Sequence, residues 1–273
     1  YDVTPMVRQG ENAIAAVLGH GWYSGYLGFD IMTRGHYGKN PRLLAQLEIE
    51  TADGTIYMVK SDASWKATYG GIIGSDIYMG EIHDARREPA DWVSATFKDD
   101  DWRPVTVGGP NSIKLEAHPG SPVRITMEMS PKSLHKSPTG SWIFDMGQNM
   151  VGVVRVRITG APGSRHVFRF GEMLNTDGSL YIENLRNARA TDEYIKGTDE
   201  PEVWQPRFTF HGFRYVEWIG PETEPPLDSL TGLVMHSDAE VTGSFECSNP
   251  TINRLQQNIL WGQRGNYFET PTD

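Results

Sequence analysis

The residues best suited to chemistry in this 273-residue sequence are two carboxylates and a guanidinium, at Glu81, Asp84 and Arg86. Side chains of these types can bind the hydroxyl groups of a sugar, and carboxylate oxygens can also hold Ca²⁺. The alternative is a salt-bridged loop between strands in which Glu81 accepts hydrogen bonds from backbone amides, which is common for loop carboxylates. We therefore treat Glu81, Asp84 and Arg86 as candidate sugar-binding residues, with the salt-bridged loop as the alternative.

Residues 175–179, with the sequence Asn-Thr-Asp-Gly-Ser, are similar to the start of a calcium loop of the EF-hand type. Such a loop requires glycine at its sixth position and glutamate at its twelfth. This chain has Leu180 and Arg186 at those positions. The segment is therefore predicted to be an ordinary turn.

Other patterns of metal or nucleophile chemistry do not occur in the sequence. The eight histidines show neither H-x-H nor H-E-x-x-H spacing, and the serines lack a G-x-S-x-G motif. The single cysteine, Cys247, cannot form an internal disulfide or a thiolate metal site. We assign no metal ligand and no cofactor.

Residues 204–215 interleave aromatic and basic side chains, as do stretches that stack on nucleic-acid bases or on sugar rings. The alternation of Phe208 and Phe210 instead favours a strand that faces a sandwich core. The net charge is −10, from 25 Lys and Arg against 35 Asp and Glu, which argues against nucleic acid and anionic membrane surfaces as partners. No apolar run reaches the roughly 18 residues needed to span a bilayer. Neutral ligands such as sugars remain compatible with this net negative charge.

Over most of the chain, the elements that position these side chains are predicted to be β-strands. Short runs of alternating apolar and polar residues, separated by Gly, Pro and Asn, are typical of β-sandwiches. The predicted strands cover residues 43–49, 56–59, 123–129, 151–158, 166–173, 192–195, 207–213, 214–219 and 230–235, and a short apolar run covers 12–18. Asp53-Gly54 predicts a hairpin turn. The length predicts about two domains, and the Gly- and Pro-rich stretch 88–122 is the best boundary.

Near the end of the chain, the spacing of the apolar residues changes from that of a strand to that of a helix. Asn249 followed by Pro250 predicts an N-cap and a proline at the first helical position. One helical face then carries the apolar residues Ile252, Leu255, Ile259 and Leu260. Because the chain starts at Tyr1 and stops soon after this helix, we expect a piece of a longer protein whose helical domain continues.

Longer motifs add a family resemblance to this interpretation. They lie at residues 19–25 (GHGWYSG), 78–81 (YMGE), 84–86 (DAR), 142–152 (WIFDMGQNMVG), 170–174 (FGEML), 177–181 (DGSLY), 191–194 (TDEY) and 206–215 (PRFTFHGFRY). In these motifs and in their order the chain resembles bacterial α-L-rhamnosidases of glycoside hydrolase family 78. The resemblance covers essentially the whole chain.

The resemblance implies an all-β fold with two β-sandwich domains, followed by the first helix of an (α/α)₆ barrel. Residues 1–118 would form an N-terminal jelly-roll of the galactose-binding type, truncated at its start and related to rhamnose-binding modules. Residues 119–238 would form a concanavalin-like sandwich. Residues 239–273 would open the catalytic barrel, which is otherwise missing from this chain.

The resemblance also implies an activity for the parent protein, the inverting hydrolysis of terminal α-L-rhamnose from glycosides or polysaccharides. One carboxyl group protonates the leaving oxygen and another, about 6.5–9.5 Å away, activates water. Both catalytic glutamates are expected beyond Asp273, so no catalytic residue is expected within this chain. Asp273 itself is expected to bind rhamnose hydroxyls.

The resemblance also implies which ligands and partners to expect. Some relatives have a rhamnose-binding module that uses Ca²⁺, but His20 stands here where an oxygen-bearing side chain would serve calcium better, so no metal is claimed. The expected partners are rhamnose-containing glycans or glycosides and the catalytic barrel of the same chain. Nucleic acid and membranes are not expected partners.

Two other function classes remain open from the sequence alone. A stand-alone carbohydrate-binding or adhesion module would explain β-sandwiches without catalysis, but it has no use for the helix that follows Asn249. A purely structural spacer would have no measurable affinity for sugars.

Overall fold

The computed structural model describes residues 1–28, 33–109 and 113–272, and strands dominate it. The first part contains α1 (Gly21–Ser24), β1 (Gln46–Glu50), β2 (Ile56–Lys60), β3 (Lys66–Ala67), β4 (Ile72–Asp76), β5 (Gly80–Asp84) and β6 (Arg103–Pro104). The central part contains β7 (Val123–Met129), β8 (Ser133–Lys136), β9 (Trp142–Ile158), β10 (Arg165–Gly171), β11 (Met173–Leu174), β12 (Leu180–Tyr181), β13 (Thr191–Ile195), β14 (Glu202–Trp204), β15 (His211–Ile219) and β16 (Leu230–Ser237). The last part contains α2 (Pro250–Asn266), β17 (Tyr267–Phe268) and β18 (Thr270–Pro271). Short 3₁₀ turns lie at Thr4–Met6, Ala85–Arg87, Glu183–Leu185 and Leu227–Ser229.

Ten of the described strands form one sheet in the order β4-β5-β13-β10-β15-β9-β16-β7, with β8 and β14 also paired to β9. The paired strands of this sheet are antiparallel, except that β5 and β13 run parallel with Ile82 opposite Glu193. The 17-residue β9 is interrupted near Gly147, which has a φ of +73°, and β15 pairs with β9 on both sides of this interruption. The interruption lets the sheet curl around its core.

The core lies inside the curled sheet and is rich in aromatic side chains. Phe144 on β9, Phe168 and Phe170 on β10 and Phe213 on β15 have no exposed surface. Trp218 on β15 packs against the rings of Phe144 and Phe168. Burying a side chain of this size stabilises a fold by about 1.5–3 kcal/mol relative to leaving it exposed. These residues therefore hold the strands of the curled sheet together.

The all-β class and the single long helix after the strands are confirmed. Most predicted strands are confirmed as well: residues 123–129, 192–195, 214–219 and 230–235 lie in β7, β13, β15 and β16, and residues 151–158 form the second half of β9. The predicted hairpin at Asp53-Gly54 joins β1 and β2, and Gly54 has the positive φ of +80° that this turn requires.

The predicted strand over residues 207–213 is wrong in its first half, because β15 has not yet begun there. The backbone amides of Arg207 and Phe208 donate to Oε2 of Glu81 at 2.9 and 3.0 Å, so they are not available to a neighbouring strand. Phe208 and Phe210 are consequently half-buried beside the sheet, and neither belongs to its buried core.

The strands before residue 110 are of two kinds. The β1–β2 hairpin pairs only with itself and leaves all five side chains of β2 exposed, and residues 12–18 lie outside the described strands. The β4–β5 hairpin, in contrast, extends the large sheet through β13. The N-terminal and central regions therefore share a sheet, which the sequence patterns did not indicate. The domain division at residues 118 and 238 stays a prediction.

Helix α2 begins as predicted. Asn249 is its N-cap, with Oδ1 accepting a hydrogen bond from the amide of Thr251 at 2.9 Å, and Pro250 is its first residue. The helix contacts β9 and β16, and Trp261 packs against the core. Three residues of the predicted apolar face are exposed, at 44% for Ile252, 55% for Leu255 and 54% for Ile259, whereas the fourth, Leu260, is half-buried. Among the described helices, none combines the length and apolar composition needed to cross a membrane.

Candidate functional site

Glu81, the first candidate sugar ligand, lies on β5 and is fully buried. Its Oε2 accepts hydrogen bonds from the amides of Arg207 and Phe208, and its own amide donates to Oδ1 of Asp192 at 2.9 Å. Burial raises the pKa of Glu81 to about 7, although the two amide hydrogen bonds act to lower it. Its Oε1 has no hydrogen-bond partner among the described residues. The carboxyl group therefore ties β5 to the segment before β15 and has no surface exposed to solvent.

Asp192 and His211 complete this buried cluster. Nε2 of His211 lies 3.1 Å from both carboxylate oxygens of Asp192, and the imidazole stacks on Phe170 with ring centroids 4.2 Å apart. Gly80 permits the close approach of β5 and β13, since a Cβ atom there would lie 2.0 Å from the carbonyl oxygen of Thr191. The spacing of residues predicts no role for Asp192, His211 or Gly80, and the only signal is their place in three of the family motifs.

Asp84 and Arg86 form a fork-shaped ion pair. Nε and Nη2 of Arg86 each lie 2.8 Å from a different carboxylate oxygen of Asp84. These hydrogen bonds hold the pKa of Asp84 below its usual range. Because Glu81 and Asp84 are three residues apart on one strand, their side chains point to opposite faces. The structure brings Asp84 and Arg86 together, keeps Glu81 apart from them, and leaves Arg86 half exposed, so sugar binding by these residues stays a prediction.

The turn over residues 175–179 is confirmed. The amide of Asn175 donates to the carbonyl of Ser179 at 2.8 Å, and the amide of Gly178 donates back to the carbonyl of Asn175 at 2.9 Å. Oδ1 of Asp177 accepts from both the amide and the hydroxyl of Ser179, so this carboxylate is used within the turn. In the ranges that the structure describes, no group of three or more His, Cys, Asp or Glu side chains is gathered as a metal site.

A cavity of about 440 Å³ opens beside α1 and is lined by His20, Ser24, Thr33, Arg34, Gly35 and Lys39. Nδ1 of His20 lies 2.7 Å from Oγ of Ser24, and the amide of His20 donates to Oγ of Ser75. Burial lowers the pKa of His20, so its imidazole is neutral at pH 7 and offers one donor and one acceptor. Imidazole, hydroxyl and guanidinium groups in one cavity suit a ligand rich in hydroxyls.

A crevice of about 360 Å³ separates the interruption in β9 from α2, and its lining residues are Gly147, Gln148, Asn149, Glu172, Met173, Arg214 and Arg254. Nδ2 of Asn149 donates to Oε1 of Glu172 at 2.8 Å. Nε and Nη2 of Arg214 donate to the two oxygens of Asp145, also at 2.8 Å, and this lowers the pKa of Asp145. Most of the polar groups here are therefore engaged with one another where the helix meets the sheet.

Residues 267–272, which follow α2, are held against the sheet. The rings of Phe268 and Phe210 are stacked, with centroids 3.8 Å apart and an interplanar angle of 16°. The amide of Glu269 donates to Oγ of Ser237 at 2.8 Å. The carboxylate of Glu269 lies 3.4 Å from Nε2 of His118. Side chains from two earlier parts of the chain thus contact this segment.

Asn266, the last residue of α2, is hydrogen-bonded to Thr272 at the end of the same segment. The amide of Thr272 donates to Oδ1 and to the carbonyl oxygen of Asn266 at 2.8 and 3.0 Å, and the Thr272 hydroxyl donates to that carbonyl at 3.1 Å. Asp273 follows directly and lies outside the described residues. Its predicted role in binding rhamnose stays a prediction.

Three family models match the chain, in the order expected from the resemblance. Residues 1–127 match the α-L-rhamnosidase N-terminal domain. Residues 135–236 match the bacterial α-L-rhamnosidase concanavalin-like domain, and residues 240–273 match the bacterial α-L-rhamnosidase 6-hairpin glycosidase domain.

Curated proteins named α-L-rhamnosidase are similar to the whole chain. The protein from Streptomyces avermitilis is 46% identical over 276 residues, and one from Formosa agariphila is 39% identical over 281 residues. Each match covers 100% of this chain but only 26% and 30% of the respective relative. The chain therefore spans between a quarter and a third of the length of these relatives.

Solved structures agree with the sequence matches. The α-L-rhamnosidase of Streptomyces avermitilis, complexed with L-rhamnose, has a TM-score of 0.88 at 44% identity, over 93% of this chain and 24% of that chain. The native enzyme from Aspergillus terreus has a TM-score of 0.88 at 40% identity, over 94% of this chain and 30% of that chain. With three domain matches in the family's order and the fold of solved relatives, the chain belongs to the bacterial α-L-rhamnosidase family.

Proposed function

We propose that this chain is part of a longer α-L-rhamnosidase that hydrolyses terminal α-L-rhamnose from glycosides or polysaccharides with inversion. The observation that carries the proposal is the succession of three rhamnosidase domain matches, over residues 1–127, 135–236 and 240–273. The last of these is a glycosidase domain of six helical hairpins, of which this chain contains one long helix. The catalytic machinery is proposed to lie in the chain that continues this domain.

In this proposal the described residues act as a scaffold. The buried cluster of Glu81, Asp192 and His211 joins the N-terminal region to the concanavalin-like region, and α2 with residues 267–272 joins the latter to the glycosidase domain. An inverting glycosidase needs an acid and a base about 6.5–9.5 Å apart with a water between them. Glu81 is enclosed and Asp192 is paired with His211, so neither carboxyl group suits that role.

The test compares this 273-residue chain with the same chain extended by the coding sequence that follows residue 273. Both are assayed on an aryl α-L-rhamnoside, and proton NMR follows the anomer released first. We expect the extended protein to release β-L-rhamnose and the shorter chain to be inactive. A stop codon directly after Asp273, or an extended protein that hydrolyses other glycosides and no α-L-rhamnoside, would overturn the proposal.

The cavity beside α1 favours a second role, the binding of a sugar by the N-terminal region. Its neutral His20, the hydroxyl of Ser24 and the guanidinium of Arg34 provide donors and acceptors for neighbouring hydroxyl groups. Titration calorimetry with L-rhamnose, with Ca²⁺ and with a chelator, tests this role. Loss of binding in Arg34→Ala assigns the site to the cavity, and loss in Arg86→Ala assigns it to the residues predicted from the sequence. Absence of binding in the unmodified chain favours a structural spacer.

A further inference from the structure

The backbone of Glu269 adopts an unusual conformation. Its φ is +72°, which places a residue with a side chain in the left-handed region that glycine prefers. Such a conformation persists only where the surrounding structure holds it, and such residues cluster where a segment must be fixed for function. The contacts around Glu269 therefore indicate what fixes this segment.

Two of these contacts come from outside the glycosidase-domain match. Oγ of Ser237, at the end of β16, accepts the hydrogen bond from the Glu269 amide at 2.8 Å. The ring of Phe210, in the concanavalin-like match, stacks on Phe268 with centroids 3.8 Å apart. A stacked ring and a hydrogen bond on adjacent residues restrain both the position and the direction of the backbone.

The N-terminal match contributes a third contact. His118 lies within the match to residues 1–127, and its Nε2 is 3.4 Å from the carboxylate of Glu269. Both side chains of this pair are half exposed, so this contact is weaker than the other two. Residues from the N-terminal and concanavalin-like matches nevertheless both contact residues 268 and 269, a few positions before residue 273.

We propose that Phe210 and Ser237 are positioning residues, which fix residues 267–272 so that Asp273 and the chain after it enter the glycosidase domain in one direction. The inference rests on the proposed function, because it assumes that Asp273 binds the sugar in the extended enzyme. The concanavalin-like region then acts on substrate binding through this segment, without contacting the substrate.

The first test uses the 273-residue chain and does not depend on activity. Hydrogen exchange is measured at the amides of Glu269 and Thr272 in the unmodified chain and in Ser237→Ala and Phe210→Ala. We expect exchange at Glu269 to become at least ten times faster in both variants, and Ser237→Thr to restore slow exchange. The control is Phe97→Ala, which removes a half-buried ring with one aromatic partner in the N-terminal region. Unchanged exchange at Glu269 in Ser237→Ala would overturn the inference.

The second test uses the extended enzyme and separates positioning from a loss of folded protein. A variant that only unfolds more easily lowers the apparent kcat at an unchanged KM, because fewer molecules are active. Phe210→Ala and Ser237→Ala are expected to raise KM for an α-L-rhamnoside about tenfold, and Phe210→Tyr is expected to restore it. An unchanged KM in both variants would overturn the inference even if their exchange is faster. If the unmodified extended enzyme is inactive on α-L-rhamnosides, the proposed function fails, and with it the effect of the two residues on substrate binding. The exchange data still decide whether they fix the segment.

Discussion

Arg207 and Glu81 lie 126 positions apart in the sequence, yet the backbone amide of Arg207 donates to Oε2 of Glu81 at 2.9 Å. The bond runs from the segment before β15 to β5, so it joins the concanavalin-like region to the N-terminal one. The other oxygen, Oε1, is buried without a partner among the described residues. Because burial raises the pKa of Glu81 to about 7, the carboxyl group keeps its proton at a pH where an exposed glutamate is ionised.

Glu81→Gln should remove a pH-dependent part of the stability. The pKa of Glu81 is about 7 in the folded chain against an ordinary 4.5, so between these values the folded state binds more protons than the unfolded state. The stability of the unmodified protein therefore falls as pH rises through this window. As pH rises across the window, the free energy of unfolding of the unmodified protein should decrease by up to about 3 kcal/mol relative to that of Glu81→Gln. Urea denaturation at a series of pH values measures this difference.

The quantity to follow is the difference in free energy of unfolding between the two proteins, because three histidines change the stability in the opposite direction. Burial lowers the pKa values of His20, His83 and His166, the last to about 4, so their contribution to stability is lost as pH falls below 6.5. These histidines are present in both proteins, and their contribution cancels. Glu224→Gln, at an exposed position, is the control. A difference that does not change with pH would mean that Glu81 ionises like an exposed glutamate.

Gly80→Ala should destabilise the chain far more than Gly54→Ala. Both glycines have a positive φ, of +101° and +80°. A Cβ atom at Gly80 would lie 2.0 Å from the carbonyl oxygen of Thr191, whereas nothing lies within 4 Å at Gly54. We expect a loss of about 1 kcal/mol at Gly54 from the backbone conformation alone, and of about 4 kcal/mol at Gly80, where β5 and β13 must also separate. Equal losses in urea denaturation would contradict this account of the β5–β13 contact.

Features that depend on neighbouring residues could be predicted from the sequence. The hairpin at Asp53-Gly54, the cap at Asn249 and the alternating strand over residues 123–129 each follow from a local rule of turn, cap or period. The pairing of Asp84 with Arg86 is equally local, since only one residue separates them. In each case the deciding interaction lies within a few positions of the motif.

Features that depend on distant residues could not be predicted in the same way. Nothing in the alternation of Phe208 and Phe210 indicates that Glu81 accepts the amide hydrogen bonds of the segment and delays the start of β15. The parallel pairing of β5 with β13 likewise leaves no periodic signal. For the candidate site, the sequence around Glu81 does not distinguish a carboxylate that is exposed to a ligand from one that is buried where the N-terminal and concanavalin-like regions meet.

Asn249→Ala should destabilise the chain, and the matched change Asn258→Ala should not. Oδ1 of Asn249 accepts the hydrogen bond from the Thr251 amide at the start of α2, and loss of such a cap costs about 1 kcal/mol. Asn258 is exposed in the middle of the same helix, where alanine is the better helix former. The free energy of unfolding should therefore fall in the first variant and stay level or rise in the second. The opposite order would contradict the capping role.

The exposed face of α2 leads to a prediction whose sign depends on the length of the chain. The triple variant Ile252→Gln, Leu255→Gln and Ile259→Gln should lower self-association of the 273-residue chain in sedimentation velocity, because these apolar side chains face solvent. Deleting residues 249–273 should also improve solubility, although it removes the contact of Trp261 with the core. Trp261→Ala is the control: it should destabilise the chain by about 2 kcal/mol without lowering its self-association.

In the extended protein the same triple variant should instead be destabilising. If the glycosidase domain continues after residue 273, its further helices cover Ile252, Leu255 and Ile259, and placing amides there leaves polar groups without partners at a cost of about 1–3 kcal/mol each. The measurement is the unfolding midpoint of both lengths, with and without the three substitutions. A triple variant that is harmless in the extended protein would show that this face stays open to solvent, and α2 would then not be packed as part of a barrel.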